Sequence, residues 1–168
     1  MHHELVGTDV GCAVGAVLVA GIRKRHEPGK APSAKPSRTI LVVDNDPILR
    51  MLVARFLVLS GYAVLEAPMG SEALALTQRH RGRIDLLLTD VVMPGMSGFE
   101  LAESLTRSHP ECAVLFMSGH VEDFPVVREA YEMQPSTFLV KPFWCEALLE
   151  KVREVVGDPG PSSSGMVG

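Results

Sequence analysis

Between residues 39 and 156 the chain repeats one hydrophobic pattern: a short, continuously apolar run, then a polar or Gly/Pro-rich turn, then a longer stretch with apolar residues at helical spacing. The short runs are Thr39 to Val43, Tyr62 to Glu66, Leu86 to Thr89, Ala113 to Met117 and Thr137 to Val140. TILVV and LLLT lack polar alternation, which predicts strands buried on both faces, as in a parallel sheet. The longer stretches predict helices over Ile48 to Leu59, Ser71 to His80, Gly98 to Ser108, Pro125 to Glu132 and Cys145 to Val156. Pro47 suits a first helical position, and Ser60 with Gly61 stops the first helix. Glu72 near one end of the second helix and Arg79, His80 and Arg81 near the other suit the helix dipole. Leu148, Leu149, Val152 and Val156 fall on one stripe of the last helix, whereas the first is apolar almost all round, interrupted by Arg50 and Arg55. Strands alternating with helices through short connections predict an α/β fold: a doubly wound, five-stranded parallel sheet with five helices on its two faces.

Outside this pattern the chain changes character. Residues 10–22, VGCAVGAVLVAGI, are apolar, with Asp9 before them and Arg23, Lys24 and Arg25 after. A spanning helix needs about 20 apolar residues, so this run is short, and a secretory signal would carry its positive charges first. Residues 1–26 are therefore an apolar segment with a basic flank, of which 5–25 are a candidate membrane anchor that would hold the rest at the cytoplasmic side, or else a poorly ordered or trimmed upstream segment. Residues 27–37, EPGKAPSAKPS, read as a linker, 38–157 as the globular domain, and 158–168 as a tail with nothing to bury. With 168 residues and 46% hydrophobic content, one core is the expectation. Residues 1–38 carry six Lys/Arg against three Asp/Glu, leaving ten against seventeen elsewhere. An acidic globular part argues against a nucleic-acid footprint and suits carboxylates gathered around a cation. Cys12, Cys112 and Cys145 lack metal or disulfide spacing and fit a reducing, cytoplasmic compartment.

The polar residues at the strand ends carry the candidate chemistry. Asp44, Asn45 and Asp46 follow the first strand, Asp90 the third, Ser118 the fourth and Lys141 the fifth. A lone Asp after a strand is most often a cap, but ligands of such sheets sit beyond the C-terminal strand ends, where all of these converge. Several oxygens at one mouth suit Mg2+, which takes one or two carboxylates and keeps positions for water and phosphate. A lysine and a hydroxyl at the same edge suit an incoming phosphoryl group, with Asp90 as a nucleophile forming an acyl phosphate.

The segments VVDNDP (Val42 to Pro47), LLLTDVVMPGMSG (Leu86 to Gly98), FMSG (Phe116 to Gly119) and FLVKPF (Phe138 to Phe143) resemble, in order and spacing, the receiver domain of two-component response regulators. The resemblance covers Arg38 to Gly157 and implies a flavodoxin-like fold. It implies Asp90 as phosphoacceptor and Asp44 as part of the acidic pair that organises Mg2+, with the backbone carbonyl of Val92 as another ligand. It also implies that Ser118 and Lys141 bind the phosphoryl group, and that Phe138 is the switch aromatic that follows Ser118. The implied phosphodonor is a histidine kinase or histidine phosphotransfer protein. The implied output is contact with a downstream protein, or a homodimer, through the face of helix 4, strand 5 and helix 5, either in a free-standing receiver or in the terminal receiver of a hybrid kinase. One departure stands out: the second acid of the pair is replaced by Asn45, which offers a carbonyl oxygen without charge, and Asp46 is the nearest acid that could compensate. Two other readings follow from the same residues. One is a phosphate-independent interaction module; the other, a Mg2+-dependent phosphatase, lacks its general acid because Val92 holds that position.

Overall fold

The computed structural model describes residues 38–119 and 125–159. The readings of residues 1–37 as anchor and linker, and of most of the tail, lie outside these residues. In chain order the elements are β1 (Thr39–Val43), α1 (Pro47–Leu59), β2 (Ala63–Ala67), α2 (Gly70–Arg79), β3 (Leu86–Asp90), α3 (Gly98–Ser108), β4 (Ala113–Ser118), α4 (Pro125–Met133), a 3-10 turn (Pro135–Thr137), β5 (Phe138–Val140) and α5 (Cys145–Val156). The strands form one parallel sheet in the order β2-β1-β3-β4-β5. The expected doubly wound architecture is therefore present.

The hydrophobic pattern explains the two layers. Ile40, Val42, Leu86, Leu88, Leu115 and Met117 face α1 and α5, where Leu49, Val53, Leu57, Leu148, Val152 and Val156 close the core. Alternate residues Leu41, Val43 and Leu87 face the opposite way, onto Ala73 of α2 and Leu101, Ala102 and Leu105 of α3. The continuous apolar runs are thus buried on both sides, as a parallel sheet requires. Among the described residues no helix is long and apolar enough to cross a membrane.

Several boundaries differ from those read in the sequence. β2 begins at Ala63, because Tyr62 still belongs to the turn that ends α1: its N–H bonds to Leu57 O at 3.1 Å, past Gly61 at φ 96°. The Tyr62 hydroxyl instead donates to Gly157 O at 3.0 Å, tying this turn to the end of α5. β3 extends to Asp90 and β4 to Ser118, because these residues still pair with Met117 and Val140. Thr137 closes the 3-10 turn, its hydroxyl bonded to Gln134 O at 2.8 Å, so β5 is shorter than expected. α2 is displaced by one residue at each end and α4 runs one residue further, to Met133. The outward side of α1 exposes Ile48, Met51, Val58 and Leu59 around Arg55.

Candidate functional site

The register of the sheet assembles the site. Val43 is level with Thr89, so the next residues of β1 and β3, Asp44 and Asp90, emerge side by side at the C-terminal edge. On the other flank, Ser118 is level with Val140, and Lys141 N–H donates to Ser118 O at 2.8 Å. Asp44, Asp90, Ser118 and Lys141 therefore occupy one edge, as their positions after four strands predict.

Lys141 joins the two acids. Its Nζ donates to Asp44 Oδ2 at 2.8 Å and lies 3.4 Å from Asp90 Oδ2. Asp44 is buried, and its other oxygen accepts the Asp46 N–H at 2.8 Å. Burial raises the Asp90 carboxyl above the ordinary carboxylate range and the neighbouring Asp44 charge adds to this, while Lys141 pulls the other way. Asp90 is thus a carboxylate with incomplete compensation at the mouth of a sheet.

Asp46 has another task. Its Oδ1 accepts the N–H groups of Ile48 at 2.8 Å and Leu49 at 3.2 Å, making it the N-cap of α1. That oxygen does not replace the charge missing at Asn45, whose residue is exposed beside the site. Among the described residues no cluster of three or more His, Cys, Asp or Glu is arranged to hold a metal ion. The donor set is instead two carboxylates, Asp44 and Asp90, already gathered around one ammonium, with the Asn45 amide close in sequence. Mg2+ commonly uses one or two carboxylates and completes its shell with water and phosphate oxygens, so this set fits it.

The loop after Asp90 is held from several directions. Thr89 Oγ1 donates to Asp90 O at 2.9 Å, and Gly98 N–H donates to Val91 O at 2.9 Å. A Cβ at Gly98 would collide with Asp90 O, so only glycine lets α3 start this close to the strand end. Ser97 and Glu100 form a capping box at that start. Val92 is exposed in the loop, between buried Val91 and Met93. Phe138 is buried, with ring centroids 5.2 Å from Phe116 and 5.7 Å from Tyr131, and Phe116 lies 4.8 Å from Phe99. Phe99 of α3 joins this aromatic group.

Sequence reasoning missed Arg50. Its Nη1 donates to Asp44 O at 2.6 Å and its Nε lies 3.9 Å from Glu66, so it ties the first turn of α1 to the ends of β1 and β2. The available signal was an arginine a turn into a helix that is apolar almost all round apart from it and Arg55.

Comparison with known proteins agrees with this fold. The family model described as "Response regulator receiver domain" matches residues 40–153. The chain is 36% identical over 138 residues to the sensor kinase CckA of Brucella abortus, covering 82% of this chain and 14% of that protein. It is 37% identical over 122 residues to the transcriptional regulatory protein FixJ of Azorhizobium caulinodans, covering 72% of this chain and 56% of that one. The chain thus spans a minor part of the first relative and little over half of the second. Among solved structures, chemotaxis protein CheY4 of Vibrio cholerae superposes with a TM-score of 0.61 at 32% identity, covering 70% of this chain and 98% of that one. The receiver domain of hybrid histidine kinase CckA gives 0.54 at 34% identity, with the same coverage. The response regulator TrrA of Thermotoga maritima, solved in complex with Mg2+ and BeF, gives 0.57 at 29% identity, again covering 70% and 98%.

Proposed function

The chain belongs to the response regulator receiver family, and from that premise we propose that it is the phosphoacceptor switch of a two-component phosphorelay, with Asp90 as the acceptor. The observation that carries this reading is the grouping of Asp90, Asp44 and Lys141 at one edge, with Asp90 the acid left least compensated. The donor is a phosphohistidine on a kinase or phosphotransfer protein. An Asp90 carboxylate oxygen forms the new O–P bond as the P–N bond to the donor imidazole breaks. The imidazole nitrogen leaves with that electron pair and takes up a proton.

Asp44, Asp90, the Asn45 amide and the Val92 carbonyl are the groups that would hold Mg2+, which when bound neutralises charge on the transferring phosphoryl group. Lys141 then turns from the two acids to the phosphoryl oxygens, a move its flexible stem permits. Ser118 supplies a hydroxyl to the same group, and Phe138, two residues upstream of Ser118's partner on β5, follows it. The altered edge is passed to a downstream protein or a second copy through α4, β5 and α5, where Val126, Val140 and Trp144 are exposed.

Acetyl phosphate with Mg2+, followed by intact mass, tests the reading. A gain of one phosphoryl group that Asp90→Asn abolishes is expected. A folded chain that gains nothing at saturating Mg2+ would instead be a phosphate-independent interaction module, an outcome Asn45 makes specific.

A further inference from the structure

β1 leaves the sheet at Asp44 with little of the ladder left to hold it. β2 ends at Ala67, level with Val43, and the Asp44 N–H reaches Ala67 O at a long 3.4 Å. A backbone carbonyl at this point needs a donor, and Arg50 supplies one: its Nη1 donates to Asp44 O at 2.6 Å, a short, charge-assisted bond. The guanidinium is half-buried, and its Nε faces Glu66 of β2 at 3.9 Å. A line of contacts therefore runs from Glu66 through Arg50 to the main chain of Asp44.

A guanidinium beside oxygens that fit Mg2+ is a paradox, because its charge repels a cation. The compensation is geometric. A peptide unit is planar, so holding the Asp44 carbonyl also fixes the plane of the Asp44–Asn45 peptide and the direction in which the chain enters Asn45. Asp44 itself has other anchors: one carboxylate oxygen accepts the Asp46 N–H at 2.8 Å and the other accepts from Lys141 Nζ at 2.8 Å. What Arg50 adds is the placement of the exposed residue that follows. A carboxylate attracts a cation through either of two equivalent oxygens, whereas an amide offers one oxygen and no net charge, so its contribution depends on its aim.

We propose that Arg50 is a positioning residue for Mg2+: through the Asp44 carbonyl it fixes the Asp44–Asn45 peptide and presents the Asn45 amide to the cation, with Glu66 steadying the guanidinium. This rests on the reading of Asp44, Asn45 and Asp90 as groups that hold Mg2+, and assigns the residue that makes a neutral ligand effective among them. Residues that orient a ligand from behind are worth about ten- to a hundredfold in metal affinity. Electrostatic repulsion by Arg50 acts with the opposite sign, so the direction of the effect separates the two.

The test is Mg2+ binding by the unphosphorylated full chain, read from amide chemical shifts as MgCl2 is added without a phosphodonor. Arg50→Met keeps an apolar stem and removes both charge and donors; it should raise the Mg2+ Kd about tenfold, whereas loss of charge alone would lower it. Arg50→Lys keeps the charge without the guanidinium fork, should also bind Mg2+ more weakly than the parent, and serves if the Met variant does not fold. In an Asn45→Ala background, Arg50→Met should change Kd by less than about twofold, because the group it aims is gone. An unchanged or lower Kd in the folded Arg50 variants overturns the proposal. So does an equal rise with and without the Asn45 amide, which assigns Arg50 to holding the loop alone, and so does a parent without saturable Mg2+ binding. A parent that gains a phosphoryl group on Asp90 but has a Kd independent of Arg50 defeats this proposal and leaves the phosphoacceptor reading standing. A parent whose Kd follows Arg50 but that gains no phosphoryl group from acetyl phosphate does the reverse.

Discussion

Two aspartates five residues apart, one just before β3 and one at its end, have opposite surroundings. Asp85, just before the strand, is buried at the N-terminal edge. It accepts the Thr39 N–H at 2.8 Å, pairs with Arg83 at 3.0 Å and meets Arg38 at 3.4 Å. Asp90, at the C-terminal edge, has Lys141 at 3.4 Å as its cationic neighbour and shares it with Asp44, which holds the same ammonium at 2.8 Å. The first carboxylate is fully used in holding the chain together. The second has only the shared ammonium and the Val91 N–H against its charge and is pushed toward its neutral form. A carboxylate with two guanidinium groups and a backbone donor is a structural joint, whereas one that shares a single ammonium with a second acid is a candidate site.

The sharpest way to break this contrast is to remove each acid in turn. Asp85→Ala leaves the Thr39 N–H and the Arg38 guanidinium without this acceptor and Arg83 with Glu111 alone, and should cost about 1–3 kcal/mol of stability, read as an earlier urea midpoint. The folded fraction of that variant should still gain a phosphoryl group from acetyl phosphate. Asp90→Asn should do the reverse, keeping the fold and losing the modification altogether. If Asp85→Ala abolished modification of folded protein, the division between joint and site would be wrong.

The fold was legible because each strand is a continuous apolar run and each helix has a stripe, signals that survive without tertiary context. The candidate site was legible through position: Asp44, Asp90, Ser118 and Lys141 each end or follow a strand at the same edge of a parallel sheet. What could not be read was which polar groups are already occupied. Asp85 and Asp90 both flank LLLT, and only the register, which brings Thr39 and Arg38 to one and Asp44 to the other, separates them. Asp46 could be offered as a spare metal ligand until its Oδ1 was found on the N–H groups of α1. The Arg50 bond to Asp44 O depends on side-chain reach across a loop, which no periodicity encodes.

A smaller effect sharpens the site half of the comparison. Asn45→Asp restores a charge beside Asp44 and Asp90, and should lower the Mg2+ needed for half-maximal phosphorylation on the order of tenfold, since ligand charge count tunes affinity for such ions. The same change without Mg2+ adds a third acid near one ammonium and should slightly destabilise the fold. An unchanged Mg2+ requirement would mean that Asn45 stands outside the cation's shell.

The smallest effect lies in the pH dependence of stability without Mg2+. Burial, reinforced by Asp44 and opposed by Lys141, raises the Asp90 carboxyl in the folded state relative to the unfolded chain. The folded state then holds that proton more tightly, so the cost of ionising Asp90 is absent below the ordinary carboxylate range. It grows as pH rises from the unfolded to the raised folded value, and is complete above the latter. Asp90→Asn removes this cost. In chelator-treated buffer the variant should therefore be more stable than the parent at neutral pH, with the gap closing as the buffer is taken to acid pH. Mg2+ should narrow the neutral-pH gap from the other side, by compensating the parent's charge while finding one carboxylate fewer in the variant. Urea titrations of both chains across that pH range, with and without Mg2+, measure the gap directly. A gap of the same size at acid and neutral pH would place the strain outside Asp90, and Asp90 would then resemble Asp85 in being fully compensated.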